Sequence, residues 1–173
     1  YIFDDRTGTA GLAWQESFAS PTLGDYDNDG LLDLYFTTVY SGDHCVLYKN
    51  VNDFNFKDAT QASGITADTT YQAAWGDYDN DGDLDIYVTN VGRNTLLCNN
   101  GDGTFSDVTS ESGSGDTSWG SSAAFFDMDK DGDLDLYVAN YIEWNEGIER
   151  ECKSQSGILD YCHPDAYNAP AMD

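Results

Sequence analysis

Positive charge is what this sequence has least of. Lys and Arg together number 7 against 32 Asp and Glu, for a formal net charge of −25. Phosphate contacts need a Lys/Arg stripe, so nucleic acid is excluded as a partner and cations are the natural counter-charge. Glutamate is also scarce: 26 of the 32 acids are Asp, the acid of turns and metal loops rather than of helices. No apolar run approaches the roughly 18 residues of a membrane-spanning helix. There is no GxSxG elbow and no HExxH pair. His44 and His163, the two histidines, stand alone and read as structural or surface residues, so no catalytic residue is assigned and the chain is expected not to be an enzyme. The four cysteines, Cys45, Cys98, Cys152 and Cys162, form no CxxC zinc pattern. Cys152 and Cys162 flank a short polar loop and are expected to pair locally, whereas Cys45 and Cys98 could form a disulfide or remain two buried thiols. An even cysteine count without zinc spacing points to an oxidising, extracellular setting. The chain opens on Tyr1 without Met or a signal-like apolar segment, which reads as a soluble fragment or a processed mature chain.

What is present is a repeat. The 173 residues are 40% hydrophobic and 14% aromatic, enough for a folded domain with a sizeable core. The stretch "DYDNDGLLDLYFTT" from Asp25 recurs as "DYDNDGDLDIYVTN" from Asp77 and "DMDKDGDLDLYVAN" from Asp127, with starts 52 and 50 residues apart. Phe3-x-Asp5-x-Thr7, Phe56-x-Asp58-x-Thr60 and Phe105-x-Asp107-x-Thr109 keep step, each followed by a glycine at Gly11, Gly64 or Gly113. A third marker links "VLYKN" at 46 to 50 with "LLCNN" at 96 to 100. Leu34 and Phe36, Ile86 and Val88, and Leu136 and Val138 alternate with Tyr35, Tyr87 and Tyr137, the period-two pattern of strands covered on both faces. No helical stripe of useful length is evident, and "NNGDGTF" at 99 to 105 reads as a hairpin turn. Four short strands fit each period: around the Phe-x-Asp-x-Thr element, before the aspartate cluster, after it, and before the hairpin. The expected fold is therefore all-β, with roughly three four-stranded blades of a β-propeller or a related stacked array. Residues 1–141 would hold three repeats, and 142–173 a cysteine-containing insert leading towards a next repeat.

Each cluster reads Asp-x-Asp-x-Asp-Gly-x-x-Asp. Calcium takes six to eight hard oxygen ligands, and alternate positions on a tight loop aim side chains at one centre. Expected ligands are Asp25, Asp27, Asp29 and Asp33, then Asp77, Asp79, Asp81 and Asp85, then Asp127, Asp129, Asp131 and Asp135. The backbone carbonyls of Leu31, Asp83 and Asp133 would add one ligand per loop, giving about three Ca2+ sites. Gly30, Gly82 and Gly132 would supply the bend where a Cβ would clash. The alternative is a solvated acidic turn, but two carboxylates about 4 Å apart repel by roughly 1 kcal/mol even in water, and three copies in register point to a shared cation. An EF-hand is excluded, because it ends on Glu at the twelfth position and leads into a helix, whereas here Asp at the ninth leads into a strand. Lys130 stands where the other loops have Asn28 and Asn80, and is expected to snorkel outward.

These stretches, with "NNGDGTFSDVT", resemble the FG-GAP/VCBS repeat family, and most closely its bacterial and cartilage-acidic-protein branch; the likeness covers residues 1 to about 141. The resemblance implies an extracellular β-propeller with calcium between two blade strands and a role in adhesion, in carbohydrate or protein binding, or in surface structure. The tail "ECKSQSGILDYCHPDAYNAP" resembles a cysteine loop inserted in that branch before a next repeat. Propellers close with about four to eight blades, so three imply either a longer chain or completion by neighbouring subunits in a homo-oligomer or polymer. The leading expectation is a calcium-stabilised extracellular structural or adhesion module, self-assembling or part of a longer propeller. Second is a lectin-like module using Trp14, Trp75, Trp119 or Trp144 on a glycan or protein, although each tryptophan is more simply blade packing. A hydrolytic enzyme comes third.

Overall fold

The computed structural model describes residues 3–12, 20–39, 43–52, 54–67, 70–143, 152–153 and the backbone of 159–160. Strands β1 (Pro21–Gly24), β2 (Asp33–Phe36), β3 (Val46–Asn52) and β4 (Asn55–Asp58) form one antiparallel sheet in that order. Strands β5 (Thr70–Gly76), β6 (Asp85–Asn90), β7 (Thr95–Asn99) and β8 (Phe105–Asp107) repeat it. A third sheet holds β9 (Gly120–Phe126) and β10 (Asp135–Asn140) among the described residues. The architecture is thus a partial β-propeller, with two complete four-stranded blades, the first two strands of a third, and sheets that do not close.

Each blade starts at the strand before an aspartate cluster and ends at the Phe-x-Asp-x-Thr element, so the element opening at Phe3 would close a blade that precedes β1. No strand forms there among the described residues, and Phe3 is fully exposed. The other two copies make single-turn helices, α1 (Thr60–Ser63) and α2 (Thr109–Ser112). Asp58 and Asp107 accept the N–H of Thr60 and Thr109 at 2.9 Å, and Gly64 and Gly113 end the turns in the left-handed region. Thr60 and Thr109 also accept from Leu47 N and Leu96 N through their hydroxyls, which fastens each turn to its sheet.

Register corrects one alignment. The N–H of Asn50 and of Asn99 both bond the ninth-position aspartate of their own blade, so "VLYKN" matches 95 to 99 rather than 96 to 100. Lys49 is therefore equivalent to Cys98.

β5 packs against both β1 and β9, and so stands between the first and third blades. The contact is a ring laid on a glycine: a Cβ at Gly24 would meet the Trp75 indole at 2.8 Å, and one at Gly76 would meet the Phe125 ring at 2.6 Å. The strand tyrosines fill the second face as expected in two blades, Tyr35 and Tyr87 being fully buried. Tyr137 is 63% exposed, since the second blade packs on one face of the third sheet and nothing among the described residues covers the other. Trp75 and Trp119 are packing residues, the first against Tyr35 and Phe105, the second against Tyr71 and Tyr141. Trp14, Trp144 and His163 lie outside the described residues. Cys45 and Cys98 are both free thiols: Cys45 is buried with Sγ 2.9 Å from Thr70 Oγ1, and Cys98 is half-buried in the next blade. Cys152 is disulfide-bonded and begins the two-residue strand β11 (Cys152–Lys153), paired with β12 (Leu159–Asp160), while Cys162 lies outside the described residues. No helix among the described residues is long and apolar enough to cross a membrane.

Candidate metal centres

The three aspartate clusters are the loops joining β1 to β2, β5 to β6 and β9 to β10. The first aspartate of each folds the loop back on itself. Asp25 accepts from the N–H groups of Asp29 and Gly30 at 3.0 and 2.9 Å, and Asp77 from those of Asp81 and Gly82 at 3.0 Å each. Asp127 accepts from Lys130 and Gly132 at 2.7 and 3.2 Å. Asp29, Asp81 and Asp131 each take the N–H two residues on, at 2.9 to 3.0 Å. Gly30, Gly82 and Gly132 have φ of 86°, 95° and 99°, yet a Cβ at any of them would meet nothing within 4 Å. The expected clash is therefore absent, and the left-handed backbone is what calls for glycine.

The ninth aspartate of each loop closes it from the strand side. Asp33 accepts from Tyr26 N at 3.1 Å and Asn50 N at 2.7 Å, Asp85 from Tyr78 N at 2.9 Å and Asn99 N at 2.8 Å, and Asp135 from Met128 N at 2.8 Å. Asp33 and Asp85 are fully buried. Burial pushes both carboxyls up to about 6, against the opposing effect of their backbone N–H bonds. A carboxylate oxygen that accepts one N–H keeps a second lone pair, so these bonds leave room for a cation.

In the second loop, carboxylate oxygens of Asp77, Asp79 and Asp85 lie within 4.8 Å of one another; in the third, those of Asp127, Asp129 and Asp135 do. The expected ligands Asp81 and Asp131 are not part of these trios. Both donor sets consist of hard oxygens alone, which suits calcium or magnesium rather than a thiolate- or imidazole-seeking metal, and a carboxylate-rich cage favours calcium of the two. Cys98 Sγ is 3.9 Å from Asp79 Oδ2, but burial and the neighbouring Asp85 and Asp79 push its thiol up, so it stays protonated and is a poor ligand.

The first loop differs. Its converging trio is Asp25, Asp27 and Asp29, without Asp33. The Lys49 ammonium reaches in from β3, contacting Asp27 Oδ2 and lying 3.2 Å from Asp29 Oδ2. The hydrogen bond to Asp27, and then that to Asp29, hold its pKa well above the usual lysine range. A cation from the chain itself thus stands where a metal would be expected, so this donor set fits an added ion poorly.

Asparagines whose role was not foreseen tie the loops together. Asn28 Nδ2 donates to Asp83 Oδ1 at 2.7 Å, and Asn80 Nδ2 donates to Asp133 Oδ1 at 2.7 Å, so each loop holds the next. Asn28, Asn80 and Lys130 occupy the same left-handed position, with φ of 56°, 60° and 65°. Lys130 is exposed, in keeping with a side chain directed outward. Asn99, 1% exposed, donates to Tyr26 O at 2.8 Å across the first and second blades. The recurrence of Asn in "DYDND" was the available signal.

A protein-family model described as an FG-GAP-like repeat matches residues 25–88 and again 77–138. Each match runs from one aspartate loop through the strand beyond the next. No curated protein matches the chain.

Proposed function

The chain belongs to the FG-GAP-like repeat family, and from that membership we propose that it is a calcium-stabilised structural or adhesion module of the extracellular space. The observation that carries the reading is the pair of trios Asp77, Asp79, Asp85 and Asp127, Asp129, Asp135, each drawn from both ends of its loop. A calcium ion there supplies two positive charges to three carboxylates. Asp77 follows directly on β5 and Asp85 opens β6, so a shared ion would clamp the two strands, and Asp127 and Asp135 would do the same for β9 and β10. Extracellular calcium modules bind at about 10⁻⁴–10⁻³ M, which suits standing calcium and a permanent clamp rather than signalling. The aspartates at the first, fifth and ninth positions of the loops are committed to backbone N–H groups, which supports a non-catalytic role. A bridge from Cys152 to Cys162 belongs to the same extracellular reading.

The exposed third sheet, with Tyr137 and Met128 63% and 68% exposed, calls for a further layer. That layer is either another blade of a longer chain or a second copy forming a homo-oligomer or polymer. The blade-to-blade contacts favour the former. A head-to-tail copy would set the Lys130 loop against Leu31, which stands where Asp83 and Asp133 offer an acceptor. The test is thermal unfolding and particle size of the intact protein in calcium and in excess EDTA. A large drop in melting temperature on chelation is expected. An unchanged melting temperature refutes the calcium clamp, and a homogeneous closed oligomer in calcium refutes the preference for further blades.

A further inference from the structure

We infer that Lys49 is a built-in competitor for calcium in the first loop, which makes the three loops unequal: the second and third take the ion readily, and the first takes it at least tenfold more weakly. The inference rests on the calcium reading above and concerns which loops carry it.

Three observations meet at this position. The Lys49 ammonium is bonded to Asp27 Oδ2 and lies within 3.2 Å of Asp29 Oδ2, so it holds two of the carboxylates an ion would need. Its equivalent in the second blade is Cys98, because the residues that follow, Asn50 and Asn99, make the same backbone bond to Asp33 and Asp85. A neutral thiol puts no positive charge into the second loop. Finally, the carboxylates that gather differ: the first, third and ninth positions in the second and third loops, but the first, third and fifth in the first. Asp29 thus joins Asp27 around the ammonium, and Asp33 stays with its two backbone donors.

An ammonium is a compact point charge with three donors on a flexible stem. It satisfies the same oxygens as calcium with half the charge, and it must leave or shift before calcium can use them. Competition rather than exclusion follows from two details. Asp27 Oδ1 is buried without a hydrogen-bond partner, so the lysine leaves acceptor capacity in the loop. The Lys49 side chain is 34% exposed, which gives it a route outward.

Calcium binding to the full chain, measured by equilibrium dialysis and titration calorimetry with calcium chloride, tests the inference. The wild type is expected to bind two ions in one class and a third at least tenfold more weakly or not at all. Lys49→Met, which keeps the stem and removes the charge, should bring the third ion into the tight class. Lys49→Gln should do the same and serves if methionine disturbs the loop. Asp25→Asn should remove only the weak ion, and Asp77→Asn a tight one. Three equivalent ions in the wild type overturn the inference, as does a third ion whose affinity neither Lys49 variant changes. No calcium bound by any variant overturns the clamp reading itself, a result distinct from either of these.

Discussion

Asn99→Ala should cost far more stability than the equivalent Asn50→Ala, and the difference can be worked out from hydrogen bonds. Asn99 is 1% exposed; its amide donates to Tyr26 O at 2.8 Å and Leu84 O at 3.1 Å and accepts from Gly101 N at 3.1 Å. Asn50 donates to Leu32 O at 3.2 Å, and its Oδ1 is buried without a partner. Alanine at 99 leaves the buried carbonyl of Tyr26 unsatisfied, costing about 1–3 kcal/mol, and loses two partly buried bonds at about 1 kcal/mol each. The total is about 3–5 kcal/mol. Alanine at 50 loses one such bond and relieves an orphaned oxygen, for a net cost of about 1 kcal/mol or less. Urea unfolding of both variants, with the slope held common, should therefore separate them by about 2–4 kcal/mol. The comparison is best made in EDTA, so that ion binding by the adjacent loops does not enter. Because Tyr26 belongs to the first blade, Asn99→Ala should also broaden the transition as the blades uncouple. Equal destabilisation, within about 0.5 kcal/mol, would refute the claim that the second-blade asparagine locks the first two blades together.

Gly76→Ala should destabilise by about 1–3 kcal/mol through overpacking, since its Cβ would sit 2.6 Å from the Phe125 ring and that ring is held edge-on to Tyr87; a neutral result in denaturant unfolding would show that the blades slide freely. Lys130→Asn should stabilise by about 0.5–1 kcal/mol, because Asn tolerates the left-handed φ of 65° better than Lys does; a drop in melting temperature would contradict it. In EDTA, lowering the pH from 7 to 5 should raise the melting temperature. Asp33 and Asp85 have folded-state values of about 6 against an unfolded value near 3.8. Between pH 5 and 7 the folded state therefore binds protons that the unfolded chain, already ionised, does not, and stability falls as pH rises through 6. Asp102, Asp107 and Asp116 are shifted down instead, so their contribution is lost only at lower pH. With calcium present the trend should reverse, because protonation competes with the ion; a melting temperature in EDTA that falls between pH 7 and 5 counts against the buried-carboxylate argument.

The repeat, the strands and the acidic loops were legible because each rests on local chemistry: alternation for strands, Asp-Gly for turns, and charge density for a cation. What was not legible depended on partners distant in sequence. Lys49 reads as an unremarkable strand residue until β2 and β3 are paired and its register with Cys98 is known. Asn28 and Asn80 look like turn formers, which their positive φ makes them, and only the stacking of loops shows that their amides hold Asp83 and Asp133. The ninth aspartates looked like ligands and nothing more, yet Asp33 and Asp85 are fully buried and staple the loop to the third strand before any ion arrives. This division explains how a chain with 26 aspartates can fold around them. The first and ninth positions are neutralised in part by backbone N–H groups, and the seventh by the neighbouring asparagine where an aspartate stands there. The third position is where the loops part: Asp27 meets Lys49, whereas neither Asp79 nor Asp129, which takes the Asp131 N–H at 3.2 Å, has such a cation beside it among the described residues. The demand for an external ion is therefore greatest in the second and third loops, the two that match in which carboxylates they gather.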